Sequence, residues 1–513
     1  MKINFGKNKG LATIELLIAF AILIIHVTAV VILLNSNQAT GLQIQLNQKA
    51  IRKAESAIED AKHNASIDFN LLNPNSKQNG LYNIELQVSS LPENLFLKRV
   101  KSIVSWDTAF HAHNTVELIT DVANIEALTG GDTCSSIVSG DWSHPVKSEY
   151  KLGAEILNDT SSGFPILGIQ TFNEKMYVAI GSGSSNSTST FLRLDISNEG
   201  EIPVFIPPGL DNNPAVSSGL NAVAVDGEKY AYVASAHPAN FTSCINPDGN
   251  NKSCGQLQVI DLDTFTVVYT YKIPGVTGAA GQAIGVSILY SRGFVYLGLA
   301  KATGPEFHII DVGGGTQGGS PTNPVDIGSY EIGNEVNEMY LKNNYLFLAS
   351  PNDQELKVLD ISNPSNPTLV GGFDAPLGGA NNGNGKSVFL VGKTLYFGRT
   401  LLSGNEFYIL DATNPETDLP ILGTKNIQNG TTNASVNKIF PRDYLAMIVT
   451  NKEFQILRVD DPVNITLYTS PLSLPPGSPT GMQAIAADCE GNYIFIGSQD
   501  SSNVGFITVI SST

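Results

Sequence analysis

The chain has 513 residues, 42% hydrophobic and only 15% charged, which is ample for several cores and too little charge for a disordered polyelectrolyte. Its formal charge of −17 repels phosphate backbones and argues against nucleic acid as a partner. Seven His and four Cys spread along the chain leave little material for a multi-ligand zinc site, and no metal or cofactor is expected.

Lys2, Lys7 and Lys9 precede Gly10 with no acid among them, and Leu11 to Leu34 is then an apolar run broken by Thr13, Glu15, His26 and Thr28. Such a run is long enough, as a helix, for a bilayer core of about 30 Å. The basic flank would stay cytoplasmic, which puts the rest of the chain outside. Residues 38–62 lack Pro and space Leu42, Leu46, Ala50, Ala54, Ala57, Ile58 and Ala61 by three and four, so the helix is expected to continue as an amphipathic stem.

The stretch Lys9-Gly10-Leu11-Ala12-Thr13-Ile14-Glu15-Leu16-Leu17-Ile18-Ala19 resembles the class III signal of type IV pilins and type II secretion pseudopilins. The resemblance implies cleavage by a prepilin peptidase after Gly10 and methylation of the new terminus at Leu11. It also implies an assembly role for Glu15, neutralising the terminal amine of a neighbouring subunit. Leu11 stands where Phe or Met is commoner, and no Pro falls in the first thirty residues after Gly10.

Residues 64–130 are expected to form a small β-domain. Turn signals at Asn73–Asn75 and Gln78–Gly80 precede three alternating runs, 81–89, 95–107 and 115–125, giving with the stem an α+β pilin-like head. His111 and His113 lie two apart in a turn; two ligands without a third read as loop histidines.

From residue 131 onward a unit repeats. Its third strands end in Asp195, Asp261, Asp311, Asp360 and Asp411, then Asp460 after an Arg-Val insertion, at intervals of about 50 residues. A seventh copy, Gly505–Ser511, ends in Ser. Four short strands per unit is what a propeller blade needs. Asp360-Ile-Ser-Asn-Pro-Ser-Asn-Pro-Thr-Leu-Val-Gly-Gly-Phe373 and Asp411-Ala-Thr-Asn-Pro415 resemble the LVIVD repeat family, which implies an extracytoplasmic β-propeller. Each repeated Asp is read as the cap of a turn rather than a catalytic acid.

Blade seven has three strands, and the segment 141–152 reproduces the pattern of a fourth, so it is expected to close a ring with Gly505–Ser511. Cys134 precedes that segment and Cys489 is expected in the first turn of blade seven, on the same face, while Cys244 and Cys254 bracket an insert in blade two. Of three possible connectivities, Cys134–Cys489 with Cys244–Cys254 fits this layout, in an oxidising compartment.

The expected fold class is therefore mainly β: leader 1–10, transmembrane and stem helix 11–63, pilin-like β-domain 64–130, and a seven-bladed propeller 131–513. Asn221, Asn337, Glu338, Asn437 and Gln483 fall where inner strands begin, at the channel mouth; they could hold a ligand or satisfy backbone groups. No nucleophile, phosphate-loop or zinc pattern occurs, so the chain is not expected to be an enzyme. Seven Asn-x-Ser/Thr sequences read as exposed turns. The expected function is a minor, tip-located pilin-like subunit displaying a propeller for adhesion or ligand binding. It would be anchored in the cytoplasmic membrane and then reach the cell surface, with the prepilin peptidase, other pilins and an unknown surface ligand as partners. The alternatives are a membrane-anchored propeller enzyme with a metal at the channel mouth and a secretion pseudopilin.

Overall fold

The computed structural model describes residues 9–513 except 68–71, 73, 92–93, 108–112, 124–133, 135–137, 139, 159–164, 182–189, 199–201, 209–218, 228, 237–243, 246–250, 253–254, 279–282, 316, 352–353, 377–382, 401–403, 431, 476–482, 501 and 503. It divides into two compact units, Met1–Ile125 and Glu126–Thr513.

In the first unit a helix, α1 (Lys9–Ile67), packs on a four-stranded antiparallel sheet of β1 (Asn75–Asn79), β2 (Tyr82–Leu91), β3 (Asn94–Asp107) and β4 (His113–Ala123). Ala50, Ala54, Ile58, Ala61 and Ala65 make the buried stripe of α1. Their three- and four-residue spacing keeps them on one face, and small side chains let the sheet come close. Tyr82, Leu86, Val100, Val104, Trp106 and Val122 meet them from the strands. β1 lies where the sequence shows only turn signals: all five of its residues are exposed, so no alternation marks it.

The expected fold class needs correction at this end. A pilin stem whose first half crosses a membrane was expected, and among the described residues no helix is long and apolar enough to do so. The described fold is instead dominated by small antiparallel sheets.

Among the described residues of the second unit are seven blade-like antiparallel sheets, six of four strands and one, the sixth, of five; in all but the last the strands run in chain order from the inside outward. Their innermost strands are Ile166–Phe172, Leu220–Val225, Gly285–Ser291, Glu338–Lys342, Asn384–Val391, Val436–Arg442 and Gln483–Glu490, here numbered blades 1 to 7. Each touches the next, and that of blade 7 touches that of blade 1, so the sheets form a ring. The outermost strand of blade 7 is β5 (Val146–Lys151), paired antiparallel with Gly505–Ser511 from Ser511↔Val146 to Phe506↔Lys151. β5 is shorter than the expected segment 141–152: Trp142 and Ser143 form a turn, and a π-helical turn takes over at Leu152–Ile156. A backbone pair between Asp141 and Thr513, at 3.0 and 3.2 Å, extends the junction.

Second and third strands are almost wholly buried, because blades pack face to face and both faces of these strands are covered. That is why they read as continuous apolar runs. The fourth strands meet the following blade's turn by close backbone approach. A Cβ on Gly371 would overlap the carbonyl oxygens of Pro415 and Thr417, and one on Gly423 that of Pro462. Glycine in these strands is thus a spacing requirement of the repeat.

Candidate functional site: the mouth of the ring

The innermost strand of each blade has one edge without a sheet neighbour, so its backbone groups need other partners. Side chains from the preceding blade supply them. Gln170 Oε1 accepts from Val225 N at 2.6 Å, Glu338 Oε2 from Val388 N at 3.0 Å, and Asp488 Oδ2 from Thr171 N at 2.6 Å. The last of these joins blade 7 to blade 1.

Where these strands begin, six of the seven carry a register shift that skips one residue: Leu167, Asn221, Val286, Lys386, Asn437 and Ile485. A bulge re-aims its extra residue. All six, together with Asn337 just ahead of its strand, line a cavity of about 620 Å³. The residues around it are uneven. Asn337, Lys386 and Asn437 form a polar arc on blades 4 to 6, while Leu167, Val286 and Ile485 are apolar.

The expected amides share one role. Asn221 Nδ2 donates to Gly285 O at 2.6 Å, Asn337 Nδ2 to Gly385 O at 2.7 Å and Asn437 Nδ2 to Ala484 O at 2.6 Å. Each acceptor belongs to the next blade. The Asn337 and Asn437 carbonyl oxygens accept from Lys386 Nζ (3.2 Å) and Ser435 Oγ (2.5 Å). Glu338, one residue deeper, pairs with Lys438. That ammonium reaches from blade 6 to blade 4, across blade 5, where the equivalent residue is the small Ser387. Lys386 also lies 3.8 Å from Glu335. Lys386, Lys438 and Ser435 were not among the residues expected at the mouth; no repeated residue type marks the bulge position in the sequence. The side chain of Gln483 lies outside the described residues.

Gly10, Leu11 and Glu15 lie in α1, where only the backbone is described. Cys134 and Cys489 form a disulfide, Cα–Cα 4.9 Å, with Cys489 near the end of an innermost strand rather than in a turn. Cys244 pairs by backbone with Lys252; Cys254, and with it the second expected bridge, lies outside the described residues, as does His111. His113 Nδ1 meets Asp107 at 2.8 Å on the surface. Among the described residues one group of three metal-ligating side chains has its ligand atoms together, Cys134, Asp488 and Cys489. Its sulfurs are joined to each other and Asp488 is held by Thr171, so the donor set does not suit a cation.

The repeated aspartates cap turns. Asp195, Asp360 and Asp411 each accept from the backbone N–H two residues on, at 2.9, 2.8 and 2.8 Å. At Asp311 burial alone would raise the carboxyl, but the amides of Gly313, Gly315, Gly319 and Gly314 hold it below the usual carboxylate range. The glycine-rich run is therefore folded around the protein's own anion. Asp460 differs, pairing instead with Arg458 at 2.8 Å.

A second repeated position escaped sequence reasoning. Five residues before the turn Asp stand Gln256, Glu306, Glu355 and Glu406, all buried. Gln256 accepts from Ile273 N, Glu306 from Ile332 N and Gly333 N, and Glu406 from Ile427 N, so these side chains tie the chain leaving one blade to that blade. Glu355 is met by both guanidinium contacts of Arg399 Nη1, at 2.9 and 2.8 Å. Burial pushes the Glu355 carboxyl up against the opposing pull of Arg399. The signal was present as Glu-apolar-x-apolar-apolar-Asp at Glu306, Glu355 and Glu406, but a Glu bordering an apolar run reads as a strand end.

The family model of the LVIVD repeat matches residues 335–375, which is blade 4 with its approach. No curated protein matches the chain in sequence. Among solved structures, Hsv2 of Kluyvelomyces marxianus is similar at 9% identity and a TM-score of 0.31, over 57% of this chain and 92% of that one. The AfRom2 CNH domain is similar at 10% identity and a TM-score of 0.39, over 71% of this chain and 99% of that one. Likenesses this distant carry nothing about activity. What stands is an LVIVD repeat within a repeat-rich, propeller-like β-domain.

Proposed function

We propose that the chain is a minor, type IV pilin-like subunit that displays its propeller outside the cytoplasm for surface adhesion or ligand binding. The observation that carries this reading is the signal Lys9–Ala19, with Gly10, Leu11 and Glu15 at the processing and assembly positions, in one chain with a ring that ends in a cavity. The prepilin peptidase and neighbouring pilin subunits are its expected partners. The Cys134–Cys489 bridge supports an oxidising, extracytoplasmic location for the ring. Tip or low-copy placement follows from bulk, since a unit covering Glu126–Thr513 cannot repeat at every position of a tightly packed filament. A metal-dependent enzyme is the weaker reading, because Glu338 already serves Lys438 and Val388 N.

The test is quantitative detection of the chain in sheared surface filaments, beside adhesion of cells whose chain ends before the ring. The expected result is a substoichiometric subunit and adhesion lost with the ring. A chain that is the most abundant filament subunit, or adhesion unchanged without the ring, would overturn the proposal.

A further inference from the structure

We infer that the mouth of the ring binds a small organic carboxylate, with Lys386 as its anchor and Lys438 as its second contact; this rests on the ligand-binding reading above. The unspent hydrogen-bonding capacity at the mouth decides the class of ligand. The amides of Asn337 and Asn437 are engaged at both nitrogen and oxygen. Both oxygens of Glu338 are used, one by Val388 N and one by Lys438. The two ammoniums remain, each with three donors. Lys386 has a neutral amide oxygen at 3.2 Å and the Glu335 carboxylate at 3.8 Å, beyond good hydrogen-bond range. Lys438 has Glu338. Among the described residues of the mouth these two ammoniums are the cationic donors, and they suit an anion with acceptor oxygens.

Three further features narrow the choice. The Lys386 and Lys438 side chains are only 29% and 28% exposed, so an ion pair formed there is screened less than on open surface. The apolar residues Leu167, Val286 and Ile485 line the same cavity and suit a carbon skeleton, the usual mixed lining of a small-molecule site. The chain carries −17 overall, so an extended polyanion is repelled while a small one meets the two local cations. The Lys438–Glu338 pair shows how a carboxylate fits this layer, and an incoming carboxylate can exchange with Glu338 for the same ammonium. A cavity of about 620 Å³ accommodates one or two sugar rings, which makes a sugar acid a suitable probe.

The experiment is calorimetric titration of the full chain with glucuronate and, as the neutral counterpart, glucose. The expected result is saturable glucuronate binding that weakens with added salt, with no binding of glucose. Lys386→Met should weaken glucuronate at least about tenfold and Lys386→Arg should restore part of it, with thermal midpoints unchanged in both variants. Equal binding of the two sugars, indifference to Lys386→Met, or no saturable glucuronate binding would overturn the inference. Loss of adhesion on removing the ring, combined with any of those outcomes, would discard the carboxylate site and leave the adhesion reading standing.

Discussion

Blades 3 to 5 and the junction of blades 7 and 1 hold the same ring together by different means. In blades 3 to 5 each third strand begins with a buried Glu and ends in a turn-capping Asp. In each of them the fourth strand also carries a glycine, Gly328, Gly371 or Gly423, that admits the next turn. At the junction neither device recurs. Blade 7 has Phe506 and Ser511 at the equivalent positions of its third strand and borrows its outer strand from residues far away in sequence. In their place stand a disulfide that ties the segment before the closing strand to blade 7 and, on the side facing blade 6, the buried Trp142 beneath Arg442, 5.3 Å from ring centroid to guanidinium. Repeating blades share one local solution, as expected of stacked repeats. The one interface that no repeat can supply is made by individual contacts instead.

Breaking the regular side should cost most at the buried Arg399–Glu355 ion pair. Arg399 is fully buried, bonds Glu355 and also donates to Asn405 O and the Tyr408 hydroxyl at 2.9 Å each. Arg399→Met should lower stability by about 3–5 kcal/mol, because it strands a buried carboxylate. Adding Glu355→Leu should return most of that loss. Urea midpoints of the two variants measure both effects, and no recovery in the double variant would mean the cost lies in lost packing.

At the junction, Cys489→Ser should cost about 2–4 kcal/mol and should equal the effect of reducing the wild-type protein. A larger loss on mutation than on reduction would show that the buried sulfur matters by packing. The glycine device comes next: Gly423→Ala should cost about 1–3 kcal/mol, since the Pro462 carbonyl is backbone and can yield only by moving the turn. Circular dichroism melting would detect it, and an unchanged midpoint would remove spacing as the reason for the glycine.

A further effect depends on pH. Burial pushes the Glu406 carboxyl up to about 7, against the opposing hydrogen bond from Ile427 N. A folded-state value above the ordinary 4.5 means the folded ring holds a proton that the unfolded chain releases. The stability this contributes is full below about 4.5 and is lost as pH rises toward 7. Glu406→Gln should flatten that part of the profile, because the amide oxygen can still accept from Ile427 N. An identical slope in the variant would assign it to another group.

The repeat was legible because strands two and three are buried on both faces and the capping Asp closes each unit, so apolar run and acid recur together. Closure by a segment before blade 1 was legible for the same reason: 141–152 carries the pattern of a fourth strand, though its Leu152 turns out to begin a π-turn. The buried Glu series was not, since one letter at a strand border does not say whether it faces water or the backbone of the next linker. Nor were Lys386 and Lys438, whose direction depends on a bulge and on the gap left by Ser387. At the N-terminus the apolar letters suggested a membrane span that no described helix fulfils.

The most direct test of the account is a mass spectrum of the mature N-terminus from the native host, wild type beside Gly10→Ala. The account predicts a chain beginning at a methylated Leu11, with the change lost in the variant. An intact Met1 in both proteins would contradict it and leave a ring without a filament.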